Sequence, residues 1–115
     1  MCTRILYETS DQNFLVGRTL DWEEDPRTNL WAFPAGQKRD GGVGVGSITW
    51  TARYGSVVAA VYEKCTADGI NSEGLVANLL YLSESDFGQP KGSGKPLLSV
   101  GAWCPSSDDL RRLGA

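Results

Sequence analysis

From Thr3 to Leu82 the chain is divided into short β-forming runs by glycine and polar clusters. None of those runs keeps a 3.6-residue apolar period long enough for a sustained helix. That alternation restricts the fold to one built from sheets. Thr3 to Tyr7 and Phe14 to Arg18 are rich in β-formers and flank the polar turn Asp11-Gln12-Asn13, which predicts a hairpin. Asn29 to Pro34 alternates Leu30 and Ala32 against Trp31 and Phe33, a further short strand. Gly36 to Gly46 reads as a flexible glycine loop leading into a strand at Ser47 to Thr51, and it lacks the Lys-Ser/Thr of a phosphate loop. Arg53-Tyr54-Gly55 is expected to fold that strand back onto the continuous apolar run Ser56 to Tyr62, making a hairpin whose second strand is buried on both faces. Thr66 to Gly74 carries turn chemistry, with Gly69 and Gly74 available for positive φ, and Leu75 to Leu82 follows as an apolar strand. Ser83 to Lys95 is a long polar loop. Pro96 to Trp103 begins like a helix with Leu97, Leu98 and Val100 on its apolar stripe, and a last short helix is expected from Ser107.

Composition narrows the function classes. With 41% hydrophobic and 22% charged residues, the 115-residue chain amounts to one ordinary domain, long enough to bury roughly two-thirds of its unfolded surface. A net charge of −3, with both signs scattered and no basic stripe, argues against nucleic acid as a partner. No apolar run approaches the ~20 residues of a membrane span, and no signal-peptide pattern is present. The expected location is therefore the cytoplasm, or the periplasm if an export signal is missing from this copy. Cys2, Cys65 and Cys104 have no metal-ligand spacing, and an odd number without a secretory signal reads as free thiols. No metal and no cofactor is implied.

The first three residues, Met1-Cys2-Thr3, carry the chemistry. Cysteine is small enough for the initiator methionine to be trimmed, which leaves a thiol and a free α-amine on one residue. An α-amine ordinarily titrates at about 7.7–8.0 and a thiol near 8.5. Such an amine can take the proton of its own thiol, so nucleophile and base sit together. The chain has no histidine, which removes Ser-His-Asp and Cys-His arrangements. A first strand starting directly behind Cys2 would tie the terminus to a sheet, where most termini fray.

Cys2 is followed by Gly17-Arg18-Thr19-Leu20-Asp21-Trp22, by Asn29-Leu30-Trp31 with Phe33-Pro34, by Tyr54-Gly55-Ser56-Val57, and by Asp68-Gly69-Ile70-Asn71-Ser72-Glu73-Gly74-Leu75. In this order the segments resemble the choloylglycine hydrolase family, the penicillin V acylases and conjugated bile acid hydrolases, which are N-terminal nucleophile amidases. The region around Trp22 and Asn29 to Pro34 is most similar to the penicillin V acylase branch of Gram-negative bacteria. The resemblance runs through residues 1–103 in one register.

The resemblance implies an α+β fold, the N-terminal part of a four-layer αββα sandwich of mostly antiparallel strands. It implies an amidase in which Cys2 attacks a linear amide, the acyl group rests on sulfur, and water releases it. Small-molecule amides are the implied substrates: penicillin V, N-acyl homoserine lactones or bile acid conjugates. Tyr81 and the aromatic Asn29 to Pro34 region favour the first two. Full-length relatives are expected to be homo-oligomers. Arg18 would place a permanent cation near the sulfur and favour thiolate, although a basic residue at a strand end is more often simply exposed. Asp21 would orient the α-amine; an aspartate in such a loop more commonly serves a turn. Tyr81 takes the strand-end position that contributes to the family's oxyanion hole, against the alternative of a core aromatic. Trp22, with Trp31 and Phe33, would line an apolar acyl pocket, or belong to the core. Asn78 falls where the family has a small residue and is not counted as a donor.

The family's chain is roughly three times longer, and the part absent here supplies an oxyanion-hole Asn and a second active-site Arg. After Trp103 the register is lost: residues 104–115, beginning Cys104-Pro105-Ser106-Ser107, form a divergent tail, as a frameshift or truncation would produce. A sheet built to be covered twice would then expose an apolar face and open edges, so the chain alone is expected to be poorly soluble and inactive. The competing expectation is a non-catalytic remnant, or a small β-rich binding protein with an incidental Met-Cys start.

Overall fold

Alternating β-formers on either side of Asp11-Gln12-Asn13 close into a hairpin of Thr3–Glu8 (β1) and Phe14–Thr19 (β2), with Thr9 N–H donating to the Asn13 carbonyl at 2.8 Å. The structure is a computed structural model and describes residues 2–86, 88 and 94–102. Six more strands follow among the described residues: Asn29–Phe33 (β3), Lys38–Asp40 (β4), Thr49–Thr51 (β5), Ser56–Val61 (β6), Cys65–Asn71 (β7) and Val76–Asn78 (β8). The only helical element described is a 3₁₀ turn at Val100–Ala102, and no helix among these residues is long and apolar enough to cross a membrane.

The strands form three antiparallel sheets: β1-β2, β4-β5 and the four-stranded β3-β6-β7-β8. Register decides which side chains share a face, because directly paired residues point the same way. One face of the large sheet carries two rows, Leu30-Ala59-Asp68-Asn78 and Ala32-Val57-Ile70-Val76. The opposite face carries Val58, 1% exposed, and Ala60, and the core is thin: the other buried hydrophobic residues described are Ala67 in β7 and Ala52 after β5. Asn71 is also buried, and its Oδ1 accepts from the N–H groups of Glu73 (3.0 Å) and Leu75 (2.9 Å), closing the β7–β8 turn in which Gly74 adopts φ +80°. The first face is poorly covered. Leu30 is 76% exposed, and Val57 and Ile70 are nearly half exposed. The hairpin makes its polar contacts with this face at the Asp68–Asn78 end, while Phe14, Leu15 and Val16 border the same cavity as Leu30, Val57 and Ile70.

Several local expectations give way to tertiary pairing. Lys38–Asp40 forms a strand inside the stretch read as a glycine loop, because Thr49–Thr51 pairs with it rather than with the next run. No β5–β6 hairpin forms: Arg53-Tyr54-Gly55 redirects the chain to another sheet, where β6 lies between β3 and β7. The strand β6 is covered mainly on one side, with Val57 facing out. Thr66 to Asn71 is strand, not turn, held by β6 on one side and β8 on the other, and only Gly74 of its two glycines uses positive φ. The run after it shortens to β8. In place of a helix from Pro96, the chain pairs with the glycine loop: Ile48 N–H donates to Leu97 O (2.8 Å), Leu97 N–H to Gly46 O (2.8 Å) and Ser99 N–H to Gly41 O (2.7 Å). That approach is close enough that a Cβ on Gly41 would lie 2.6 Å from the Leu97 carbonyl oxygen. The tail from residue 104 and the helix expected from Ser107 lie outside the described residues.

Candidate active site

Cys2 precedes β1, Arg18 sits near the end of β2, and Trp22 lies in the loop after it. Tyr62 occupies the β6–β7 turn, and Tyr81 follows β8. These segments, separated by up to 79 residues, converge on one cavity of about 250 Å³ lined by Cys2, Arg18, Trp22, Tyr62, Leu80 and Tyr81 among others. The lining is chiefly aliphatic and aromatic, with the thiol and the guanidinium as its reactive polar groups.

Cys2 is half-buried and its thiol is free. The backbone N–H of the next residue, Thr3, donates to Thr19 Oγ1 (3.2 Å), and Thr19 Oγ1 in turn donates to Asp21 Oδ2 (3.4 Å). Asp21 is thus tied to the chain one residue beyond Cys2, although it is not among the cavity-lining residues.

Arg18 is not the exposed strand-end cation that spacing alone would favour: its side chain is 8% exposed. The guanidinium donates from Nη2 to the carbonyl of Leu79. Its Nε lies 3.0 Å from Asp68 Oδ1, a charge contact off the hydrogen-bond line, and Nη1 is buried with no hydrogen-bond partner. Asp68 Oδ1 also accepts from Asn78 Nδ2 (2.8 Å), and Asn78 Oδ1 accepts from Arg4 Nε (2.7 Å). The side chain of Asn78 is therefore engaged with Asp68 and Arg4.

Tyr81 is well exposed rather than core, and meets Trp22 edge to face with ring centroids 5.7 Å apart. Trp22 Nε1–H donates to Tyr62 Oη at 2.9 Å, so the indole is held by a tyrosine on each side. Trp31 and Phe33, the other two aromatics expected in an acyl pocket, are absent from this lining. Phe33 instead lies under the Arg39 guanidinium, 4.0 Å from its ring centroid. Tyr62 and Asp68 escaped sequence reasoning. Tyr62 looked like the last residue of an apolar strand, and Asp68 stood within an apparent turn.

Comparison with known proteins gives the family and the fold. The signature of the choloylglycine hydrolase family, linear amide C–N hydrolases, matches residues 2–106. A penicillin V acylase of Pectobacterium atrosepticum is 43% identical over an alignment covering 89% of this chain and 29% of its own. The solved structure of penicillin V acylase from Agrobacterium tumefaciens superimposes with a TM-score of 0.86 at 37% identity, covering 98% of this chain and 38% of that one. The chain therefore spans less than two-fifths of the length of either relative.

Proposed function

The chain belongs to the choloylglycine hydrolase family of linear amide C–N hydrolases, and on that premise we propose that it carries the nucleophile half of a penicillin V acylase-like site. Removal of Met1 would leave Cys2 with a free α-amine. The amine accepts the thiol proton, and sulfur attacks the amide carbonyl carbon. When the tetrahedral species collapses, the C–N bond breaks, the protonated α-amine returns a proton to the departing amine, and a thioester remains. Water then adds to the thioester with the amine again as base, releasing the acid.

The remaining residues take roles fitted to their positions. Arg18 favours the thiolate, Asp21 orients the amine, Tyr81 donates to the oxyanion, and Trp22 packs against the acyl group. The phenoxyacetyl side chain of penicillin V suits an aromatic-lined cavity, and an N-acyl homoserine lactone is the next candidate. The observation that carries this reading is the convergence of Cys2, Arg18, Trp22 and Tyr81 on one cavity.

The test uses an activated ester of the penicillin V side chain and site-resolved mass spectrometry. An acyl adduct is expected on Cys2 of the Met1-trimmed chain and is expected to vanish in Cys2→Ser or after blocking the α-amine. Labelling that survives Cys2→Ser would refute the mechanism.

The uncovered face of the large sheet favours a second reading for the 115-residue chain by itself, a remnant that binds through open sheet surface and does not turn over. Multiple turnover of penicillin V by the monomeric chain would dispose of it.

A further inference from the structure

Arg18 is held by an arrangement of charges that the reaction itself does not require. Arg4 and Arg18 are direct cross-strand partners in the hairpin, and Asp68 and Asn78 are direct cross-strand partners in the large sheet. Two cations placed opposite each other repel unless each finds an acceptor. Here the two pairs meet face to face: Arg4 Nε on Asn78 Oδ1 at 2.7 Å, Asn78 Nδ2 on Asp68 Oδ1 at 2.8 Å, and Arg18 Nε beside that same oxygen at 3.0 Å. The four side chains make an open chain of contacts across β1, β8, β7 and β2.

A guanidinium is a planar fork whose five N–H groups point in fixed directions. Nε and Nη2 share one edge. Along that edge Nη2 donates to the Leu79 carbonyl and Nε lies in charge contact with Asp68 without a hydrogen bond, so turning the plane loses both contacts. Nη1, on the other edge, is buried with neither a hydrogen bond nor an ion pair among the described residues. Buried donors are nearly always satisfied, and an exception on a residue that shares a cavity lining with Cys2 calls for a partner that arrives later.

We propose that Asp68, locked by Asn78 and Arg4, is a positioning residue that holds Arg18 by one edge and keeps Nη1 free for the Cys2 sulfur or the group bound to it. The proposal deepens the amidase reading above and rests on it. It also separates two effects of Asp68 with opposite signs. As a carboxylate near the site, Asp68 offsets the positive charge of Arg18 and so opposes thiolate formation. As a positioning residue it favours thiolate by aiming Arg18.

The experiment follows alkylation of Cys2 by iodoacetamide at pH 7, read on the N-terminal peptide by mass spectrometry and divided by the rate in urea for the same variant. Cys65 and Cys104 are thereby excluded from the signal. Asp68→Ala is expected to slow Cys2 by about 3–10-fold, whereas Asp68→Asn, which keeps an acceptor oxygen for Asn78 and Arg18, stays within about twofold of the parent. In an Arg18→Gln background, Asp68→Ala is expected to cause no further slowing. Native tryptophan emission marks variants that remain folded. Should Asp68→Ala unfold, Asn78→Ala replaces it and is expected to slow Cys2 in the same direction, since it removes the lock without changing charge.

An Asp68→Ala rate equal to or above the parent overturns the proposal, as does slowing that persists without Arg18. If Arg18→Gln slows Cys2 and Asp68→Ala does not, only the positioning role is lost. If Arg18→Gln leaves the rate unchanged, Arg18 has no hold on the thiol and the proposal falls together with the part of the amidase reading that it rests on.

Discussion

Tyr62 occupies a turn that would ordinarily be built from Asn and Gly. Tyr62 and Glu63 both adopt positive φ, +54° and +55°, between Val61 and Lys64, whose N–H donates to the Val61 carbonyl at 3.2 Å. That is the primed hairpin geometry, which bulky residues enter at a cost of about 1–3 kcal/mol each. The compensation is local: the Tyr62 N–H donates to Pro26 O at 2.7 Å, and its hydroxyl accepts from Trp22. Tyr62→Phe keeps the ring and loses that acceptor, and is expected to destabilise the fold by about 0.5–1.5 kcal/mol in a urea titration. An unchanged midpoint would show that Trp22 is seated by Tyr81 alone. Glu63→Gly acts oppositely. Glycine suits the second turn position, and the Asn29–Glu63 hydrogen bond it sacrifices is solvent-exposed, so a gain of about 0.5 kcal/mol is expected.

At the scale of elements, Val58 is the point on which the large sheet depends, since it is the one described hydrophobic side chain with almost no exposure. Val58→Ala is expected to cost about 1.5–3 kcal/mol, read as a fall in the unfolding midpoint, and a neutral result would place the stabilising core elsewhere. The same sheet shows what could be read from sequence. The β1–β2 hairpin was legible because its pairing is local: β-formers flank a polar turn with nothing between to redirect them. The strand β7 was not, because Asp68, Gly69 and Asn71 are turn formers by themselves, and only pairing with β6 and β8 makes them extended. Adjacent runs also misled, as β5 and β6 were expected to pair and instead enter different sheets. The site followed the same rule. Cys2, Arg18, Trp22 and Tyr81 were legible as types in a familiar order, and all four line the cavity. Tyr62 became visible only when distant strands brought it to that cavity, and Asp68 only when they set it against Arg18.

For the molecule as a whole, the exposed rows through Leu30, Val57 and Ile70 dominate behaviour in solution. Apolar surface of this kind drives association unless something covers it. Sedimentation or light scattering is expected to show the chain associating as its concentration rises, and Leu30→Lys combined with Ile70→Thr is expected to reduce that association. A parent chain that stays monomeric at all concentrations would contradict this account. The strap of backbone hydrogen bonds between the glycine loop and Leu97–Ser99 has a consequence in time rather than in energy. The loop leaves the ribosome about fifty residues before its partner does, which at synthesis rates of about 5–20 residues per second is a wait of roughly 3–10 s. The Cys2 hairpin, whose pairing is local, has no such wait. On the nascent chain, the hairpin behind the nucleophile can therefore pair while the glycine loop still waits for Leu97–Ser99 to be made.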